Sequence, residues 1–218
     1  MHAIFYRRPG QPDVLEYGNL PEPAISDRQI LVKIRAAGVN PVDWKMRRLR
    51  LRLPWQRWPM IPGSDLAGEV TRVGRAVRRF RPGDAVYAML SPFSGGACAE
   101  YAAVPEGRAA RKPDRLTFVE AAAVPLAGLA ALQALRDLGR IRSGQRVLIN
   151  GASGGVGSFA VQIAKVYGAD VTAVTGRTHV DFVKSLGADR MIDYQAEDFT
   201  ASDARYDLIF DEIGRAHV

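Results

Sequence analysis

Residues 151–157 read GASGGVG and follow directly on the apolar run Val147-Leu148-Ile149. Gly151, Gly154 and Gly157 are spaced Gly-x-x-Gly-x-x-Gly, and Val156, Phe159, Ala160, Ile163, Ala164 and Tyr167 then fall on one face of a helix. A strand that passes through such glycines into a helix has few alternatives. The glycines permit a tight turn, a close approach of backbone to a pyrophosphate, and close packing of helix on strand, while the helix N-terminus faces the phosphates. A bare glycine triplet is weak evidence. Between a strand and a helix it reads as a dinucleotide site.

The segments around it support that context. Arg146–Asn150 is followed by the helix running to Tyr167, then by DVTAV (170–174), a helix over 179–186, RMIDY (190–194) and YDLIF (206–210). Alternating strands and helices predict a parallel sheet covered by helices. Upstream the texture differs. Ile30, Val32 and Ile34 alternate with Leu31, Lys33 and Arg35, and further short strands are expected at Glu69–Val73, Ala85–Met89 and Ala99–Val104, with RPGD (81–84) as a turn. That spacing predicts a compact β-barrel-like domain. Thr117-Phe118-Val119-Glu120 has the capping-box pattern and opens an Ala/Leu-rich helical stretch to Leu138, which Pro125 is expected to break or kink.

Composition narrows the function classes. Apolar residues make up 47% of the 218 and charged residues 24%, as in ordinary globular proteins. No apolar run approaches the roughly 20 residues of a membrane span, and Met1-His2-Ala3 is not the start expected of a secretory signal. Cys98 is the only cysteine, which excludes an internal disulfide and a cysteine zinc cage; a reducing cytoplasm is the expected location. The net charge is +7, and only Lys33, Lys45, Lys112, Lys165 and Lys184 are lysine, so arginine supplies the rest of the 30 basic residues. They crowd in residues 45–57 and 72–83, but no nucleic-acid recognition module accompanies them, and nucleic-acid binding is not expected as a main role.

The second strand indicates which dinucleotide. A site for NAD usually places Asp or Glu about 20 residues after the glycines, bonded to the ribose 2′-hydroxyl. Here the strand ends Thr175-Gly176-Arg177, with no acid before Asp181. Arg177 would pair with a 2′-phosphate, which favours NADP(H); the competing reading is a solvated loop arginine.

Several motifs occur together: AAGVNPVDW (36–44), GSDLAGEV (63–70), GDAVYAM (83–89), GGACAEYAAVP (95–105), EAAAVPLAGLAALQAL (120–135), GASGGVGSFAVQIAK (151–165) and LGADRMIDY (186–194). In this order they resemble the medium-chain dehydrogenase/reductase superfamily, in its zinc-free, zeta-crystallin-like quinone-reductase branch. The resemblance covers residues 1 to about 211. It implies an α/β architecture: a GroES-like β-barrel catalytic domain over 1–115 and an incomplete, doubly wound Rossmann domain over 116–211. Zinc-dependent relatives carry Cys where this chain has Asn40, and His-Glu where it has Ser64-Asp65, so no zinc is expected. Without that Lewis acid, quinones and α,β-unsaturated carbonyls are the acceptors that need least help, because hydride addition gives a delocalised anion. An enoyl-thioester reductase, or a non-catalytic NADPH-binding or structural protein of the same fold, remains open.

By the same resemblance Asn40 is a polar contact to acceptor or nicotinamide. Ser153, Gly154, Gly155, Val156 and Gly157 surround the pyrophosphate, Thr175, Gly176 and Arg177 flank the 2′-phosphate, and Tyr194 lies near the adenosine end. Asp43 reads as a loop anchor rather than a proton donor; Trp44, Trp55 and Trp58 line a cleft or pack in the core. Ala130 stands where close relatives often carry Thr, so one polar contact is missing. The family continues for about another hundred residues and forms homodimers when full-length. A chain stopping here is expected to be inactive and not to dimerise in that way. Ile213–Val218 also translate a common sequencing adapter, ATC-GGA-AGA-GCA-CAC-GTC, so 212–218 reads as a non-native tail, although Asp211-x-Ile213-Gly214 is acceptable to the family.

Overall fold

The computed structural model describes residues 1–49, 58–201 and 203–213. Trp55, most of the basic run 45–57 and the tail residues Gly214–Val218 lie outside the described residues. The chain forms two compact units, Met1–Leu126 and Ala127–Val218.

In the first unit a hairpin of β1 (His2–Phe5) and β2 (Glu16–Asn19) accompanies five longer-range strands. These are β3 (Gln29–Gly38), β4 (Asp65–Val73), β5 (Ala85–Met89), β6 (Tyr101–Pro105) and β7 (Ala109–Arg111). They make an antiparallel sheet in the order β6-β3-β4-β5-β7. Ile30, Val32 and Ile34 do share a face and pack with Leu66, Val70, Val86 and Val104. Leu31 is buried on the other face. Register shifts in the β3–β4 ladder fall between Leu31 and Val32 and between Ile34 and Ala36, where bulges bend the strand. β4 begins at Asp65, earlier than the expected Glu69, because Ser64 and Asp65 are buried polar residues satisfied by hydrogen bonds rather than a solvated turn.

Helix α1 (Pro41–Arg48) follows β3, and α2 (Phe118–Ala122) closes the unit. The capping box on α2 is formed: Glu120 N–H donates to Thr117 Oγ1 at 3.2 Å, and Thr117 N–H to Glu120 Oε2 at 2.8 Å. Pro125 ends the expected single helix and starts α3 (Pro125–Leu132), which runs on as a π-helical turn over Gln133–Leu138. The compact unit Met1–Leu126 takes in α2, whose Ala121 and Ala122 bury against Ala67, with Ala36, Tyr87 and Phe118 around them.

The second unit carries β8 (Arg146–Asn150), α4 (Gly155–Val166), β9 (Asp170–Thr175), α5 (Val180–Ser185), β10 (Arg190–Asp193) and β11 (Leu208–Asp211). Its four strands are parallel, in the order β10-β9-β8-β11. Numbered within the unit that order is 3-2-1-4, the first four positions of a dinucleotide-binding sheet. The expected face of α4 is buried: Ala160 and Ala164 are fully enclosed, and Val156, Phe159, Ile163 and Tyr167 pack against Val147, Ile149 and Val171. Val161 is enclosed as well. Lys165, near the end of α4, reaches the carbonyl of Ala169 at 3.0 Å and both oxygens of Asp189 at 2.9 and 2.7 Å, tying the starts of β9 and β10 to the helix. No helix among the described residues is long and apolar enough to cross a membrane.

Candidate active site

The glycine turn is built by close approaches that side chains would block. Gly151 has φ +81°, in the left-handed region. Its N–H and that of Ala152 both donate to the carbonyl of Val174, at 3.2 and 3.1 Å, pinning the turn to the end of β9. A Cβ on Gly157 would stand 2.1 Å from the carbonyl oxygen of Gly151, so only glycine lets α4 pack here. Gly154 occupies the N-cap of α4. A Cβ on Gly155, by contrast, would meet nothing within 4 Å: that space is open for a ligand. The side chain of Val156 faces the core, so toward a ligand it offers only backbone.

Above this turn lies a cleft of about 600 Å³ lined by second-unit residues alone. Asn150, Gly151, Ser153 and Gly154 form one end, and Thr175, Gly176 and His179 continue it along the end of β9. Tyr194, Asp198, Phe199 and Thr200 wall the cleft on the β10 side. Thr175 Oγ1 donates to Ser153 Oγ at 2.9 Å, bridging the glycine turn and β9. The hydroxyl of Tyr194 would touch a Cβ on Gly176 at 3.3 Å, so the ring lies over that glycine.

Ser153, Gly154, Thr175, Gly176 and Tyr194 are therefore brought together along one cleft, whereas Gly155, Val156 and Gly157 form the first turn of α4 without lining it. Arg177 is exposed on the 3₁₀ turn Arg177–His179 and does not line it either. Sequence reasoning passed over Asn150, His179, Asp198 and Thr200. Asn150 had a signal, a polar residue ending an apolar strand; it is buried and donates through Nδ2 to Asp211 Oδ1 at 3.0 Å.

The first unit holds a second polar cluster, at the positions where zinc-dependent relatives have their ligands. Asn40 sits at the N-cap of α1, and its backbone N–H donates to Asp43 Oδ2 at 2.7 Å. Asp43 is thus an anchor, and its other oxygen accepts from Ser64 Oγ at 3.2 Å. Asn40 Nδ2 donates to Asp65 Oδ2 at 3.0 Å, and the N–H of Leu126 reaches both oxygens of Asp65 at 3.1 Å. Burial pushes the Asp65 carboxyl up from its ordinary value and the Asp43 charge adds to this, against the opposing hydrogen bonds from Leu126 and Asn40. Burial, with the Asp43 charge, likewise raises the thiol of Cys98.

These residues do not fit Zn²⁺. The Asn40 amide nitrogen is spent on Asp65, the Ser64 hydroxyl on Asp43, and no group of three or more His, Cys, Asp or Glu among the described residues is arranged around a metal position. Of the tryptophans, Trp58 packs edge-on against Tyr6 at 5.8 Å within a small core cluster, and Trp44 is half-exposed beneath Lys45 and Arg48.

A parallel sheet in 3-2-1-4 order with a glycine turn leading into its first helix has the architecture of a dinucleotide-binding domain. The "Alcohol dehydrogenase GroES-like domain" family matches residues 26–114, and the "Zinc-binding dehydrogenase" family matches residues 155–218. A chloroplastic quinone-oxidoreductase homolog of Spinacia oleracea is 43% identical over 221 residues, covering 96% of this chain and 67% of the relative. The NADPH-dependent alkenal/one oxidoreductase of Arabidopsis thaliana is 40% identical over 98% of this chain and 58% of its own length. Among solved structures, the quinone oxidoreductase from Coxiella burnetii superposes with a TM-score of 0.88 at 35% identity, covering 98% of this chain and 69% of that one. The chain belongs to the medium-chain dehydrogenase/reductase superfamily, in its zinc-free quinone-oxidoreductase branch. It spans two thirds or less of the length of these curated relatives.

Proposed function

We propose that this chain is the larger part of an NADPH-dependent, zinc-independent reductase of quinones or α,β-unsaturated carbonyls. The observation that carries the reading is the cleft over the Gly151–Gly157 turn, which ends at Gly176 and a basic turn with no acid before Asp181. A reduced nicotinamide supplies the hydride when bound. The second unit's part is to hold the pyrophosphate over Gly154 and Gly155 and the adenosine against Tyr194. Asp65, itself held by the Leu126 N–H, accepts from the Asn40 amide nitrogen, which leaves the carbonyl oxygen and the second amide hydrogen for cofactor or acceptor. An anion delocalised over quinone or enone needs no metal for its stabilisation, in keeping with a donor set unsuited to zinc. The greater length of the relatives supports a further part of the proposal, that turnover and dimerisation belong to a longer form. A cytoplasmic location rests on the single cysteine alone.

The test is a full-length form assayed with NADPH and NADH against a quinone, an enone, an enoyl thioester and a simple aldehyde, with elemental analysis for zinc. We expect NADPH to be preferred at least tenfold, quinone or enone to be reduced, and chelator to have no effect. Arg177→Asp should shrink the NADPH preference. Equal use of both cofactors would defeat the NADPH assignment, binding without turnover would favour a non-catalytic role, and one tightly held zinc per chain would overturn the zinc-independent mechanism.

A further inference from the structure

We propose that Asp65 is a positioning residue: it holds the Asn40 carboxamide in one of its two orientations and so decides which end of that amide meets cofactor or acceptor. The inference rests on the reading above, in which Asn40 is the polar contact that the first unit supplies. It gives the buried carboxylate a part in turnover that acts wholly through Asn40.

Asp65 opens β4 and is 1% exposed, whereas Asn40, two residues past the end of β3, is half-buried. Gly38 pairs with Asp65 in the β3–β4 ladder. A Cβ on Gly38 would stand 3.0 Å from the Asp65 Cβ and 2.5 Å from the carbonyl oxygen of Ala122, so the carboxylate is set in a narrow space. The Leu126 N–H, in the first turn of α3, reaches both carboxylate oxygens at 3.1 Å, and Oδ2 takes the Asn40 amide nitrogen as well. An ionised carboxylate accepts and never donates. Asn40 can therefore satisfy it only with nitrogen, and the Asn40 carbonyl oxygen is turned away from Asp65. The bond is charge-assisted and its acceptor is shielded from water, which makes it a firm restraint on the amide. Asp43 does not compete, because its oxygens already accept from the Asn40 backbone N–H and from the Ser64 hydroxyl. An amide at position 65 would carry both a donor and an acceptor, and either orientation of Asn40 could then be satisfied.

In the 218-residue chain the Asn40 side-chain amide is read by proton–nitrogen NMR, its two signals identified by their loss in Asn40→Ala. One proton should exchange slowly with water and the other fast, and Asp65→Asn should abolish the difference. In a full-length form assayed with NADPH and a quinone, Asp65→Asn should lower kcat and kcat/KM together by about tenfold, the effect of one lost hydrogen bond to a charged group. The same substitution made on Asn40→Ala should cost nothing further, because Asp65 acts through Asn40. A thermal melt of each variant reads its folding separately, and the exchange rates of the wild-type amide need no variant of Asp65 at all. Two freely exchanging protons in the wild type would overturn the proposal. So would an unchanged kcat in Asp65→Asn, or losses that add in the double variant, since Asp65 would then serve the fold alone. A full-length wild type without turnover would defeat the functional reading instead, and the exchange measurement would decide the orientation by itself.

Discussion

Two glycines of the same turn do opposite jobs. Gly157 is required by packing, because an added methyl would stand 2.1 Å from a backbone oxygen that cannot move aside cheaply. Gly155 is required, on our reading, by the ligand alone. Gly157→Ala should therefore cost about 1–3 kcal/mol of stability, read as a lowered Tm, through overpacking. Gly155→Ala should leave Tm unchanged or slightly raised, since alanine is the better helix former, yet weaken NADPH binding. If Gly155→Ala binds NADPH normally, the pyrophosphate does not lie there. The spacing of these glycines was readable in the sequence because the turn is local. His179, Asp198 and Thr200 were not, because the wall they form comes from turns after β9 and β10 that carry no motif; Asp198 is placed by accepting from the Thr200 N–H at 2.9 Å. Asn40 and Asp65 were legible as lost zinc ligands, but the bond between them crosses 25 positions of sequence and shows only in the fold.

At the level of elements, periodicity read most faithfully where one face alone is buried. The apolar stripe of α4 and the alternation in β3 survive intact. The long helix expected to Leu138 was right in content but not in form. After α3 the chain widens into the π-helical turn, and the following left-handed residue is Arg140, φ +49°, rather than the adjacent glycine. A Cβ on Gly139 would lie 2.9 Å from Leu208 Cδ1, a methyl that can turn aside. Among the described residues β11 pairs only with β8 and is one of the two edges of its sheet. Ile209 on that strand is 61% exposed, an apolar side chain on a strand with an open ladder. Ile209→Lys should keep stability within about 0.5 kcal/mol while reducing self-association of the 218-residue chain, measured by light scattering. Unchanged aggregation would show that this edge is not what recruits other copies.

The molecule as a whole carries an acid-sensitive carboxylate in each unit. The backbone N–H of Arg81 holds the buried Asp84 carboxyl below its ordinary value despite burial, with help from Arg111. Burial pushes Asp189 up, but Lys165 and the Val171 N–H outweigh it and the net direction is down. Both groups bind protons less readily folded than unfolded. Their contribution is full above the ordinary carboxylate value of about 4 and is lost as pH falls through the lower folded values. Tm should therefore drop below about pH 4, and Asp84→Ala should cost about 1–2 kcal/mol at pH 7 with little further effect near pH 2. A penalty that is the same at both pH values would mean that ionisation of Asp84 is not what stabilises the native chain. The separation into two units has an optical consequence. Trp44, Trp55 and Trp58 all belong to residues 1–126, and the nucleotide cleft contains Tyr194 but no tryptophan. Denaturation followed by indole emission thus records the loss of the antiparallel unit, and a chain that looks native by that signal can already have lost its parallel sheet. Far-ultraviolet dichroism, calorimetry, or an indole placed deliberately at Tyr194 would register that melting.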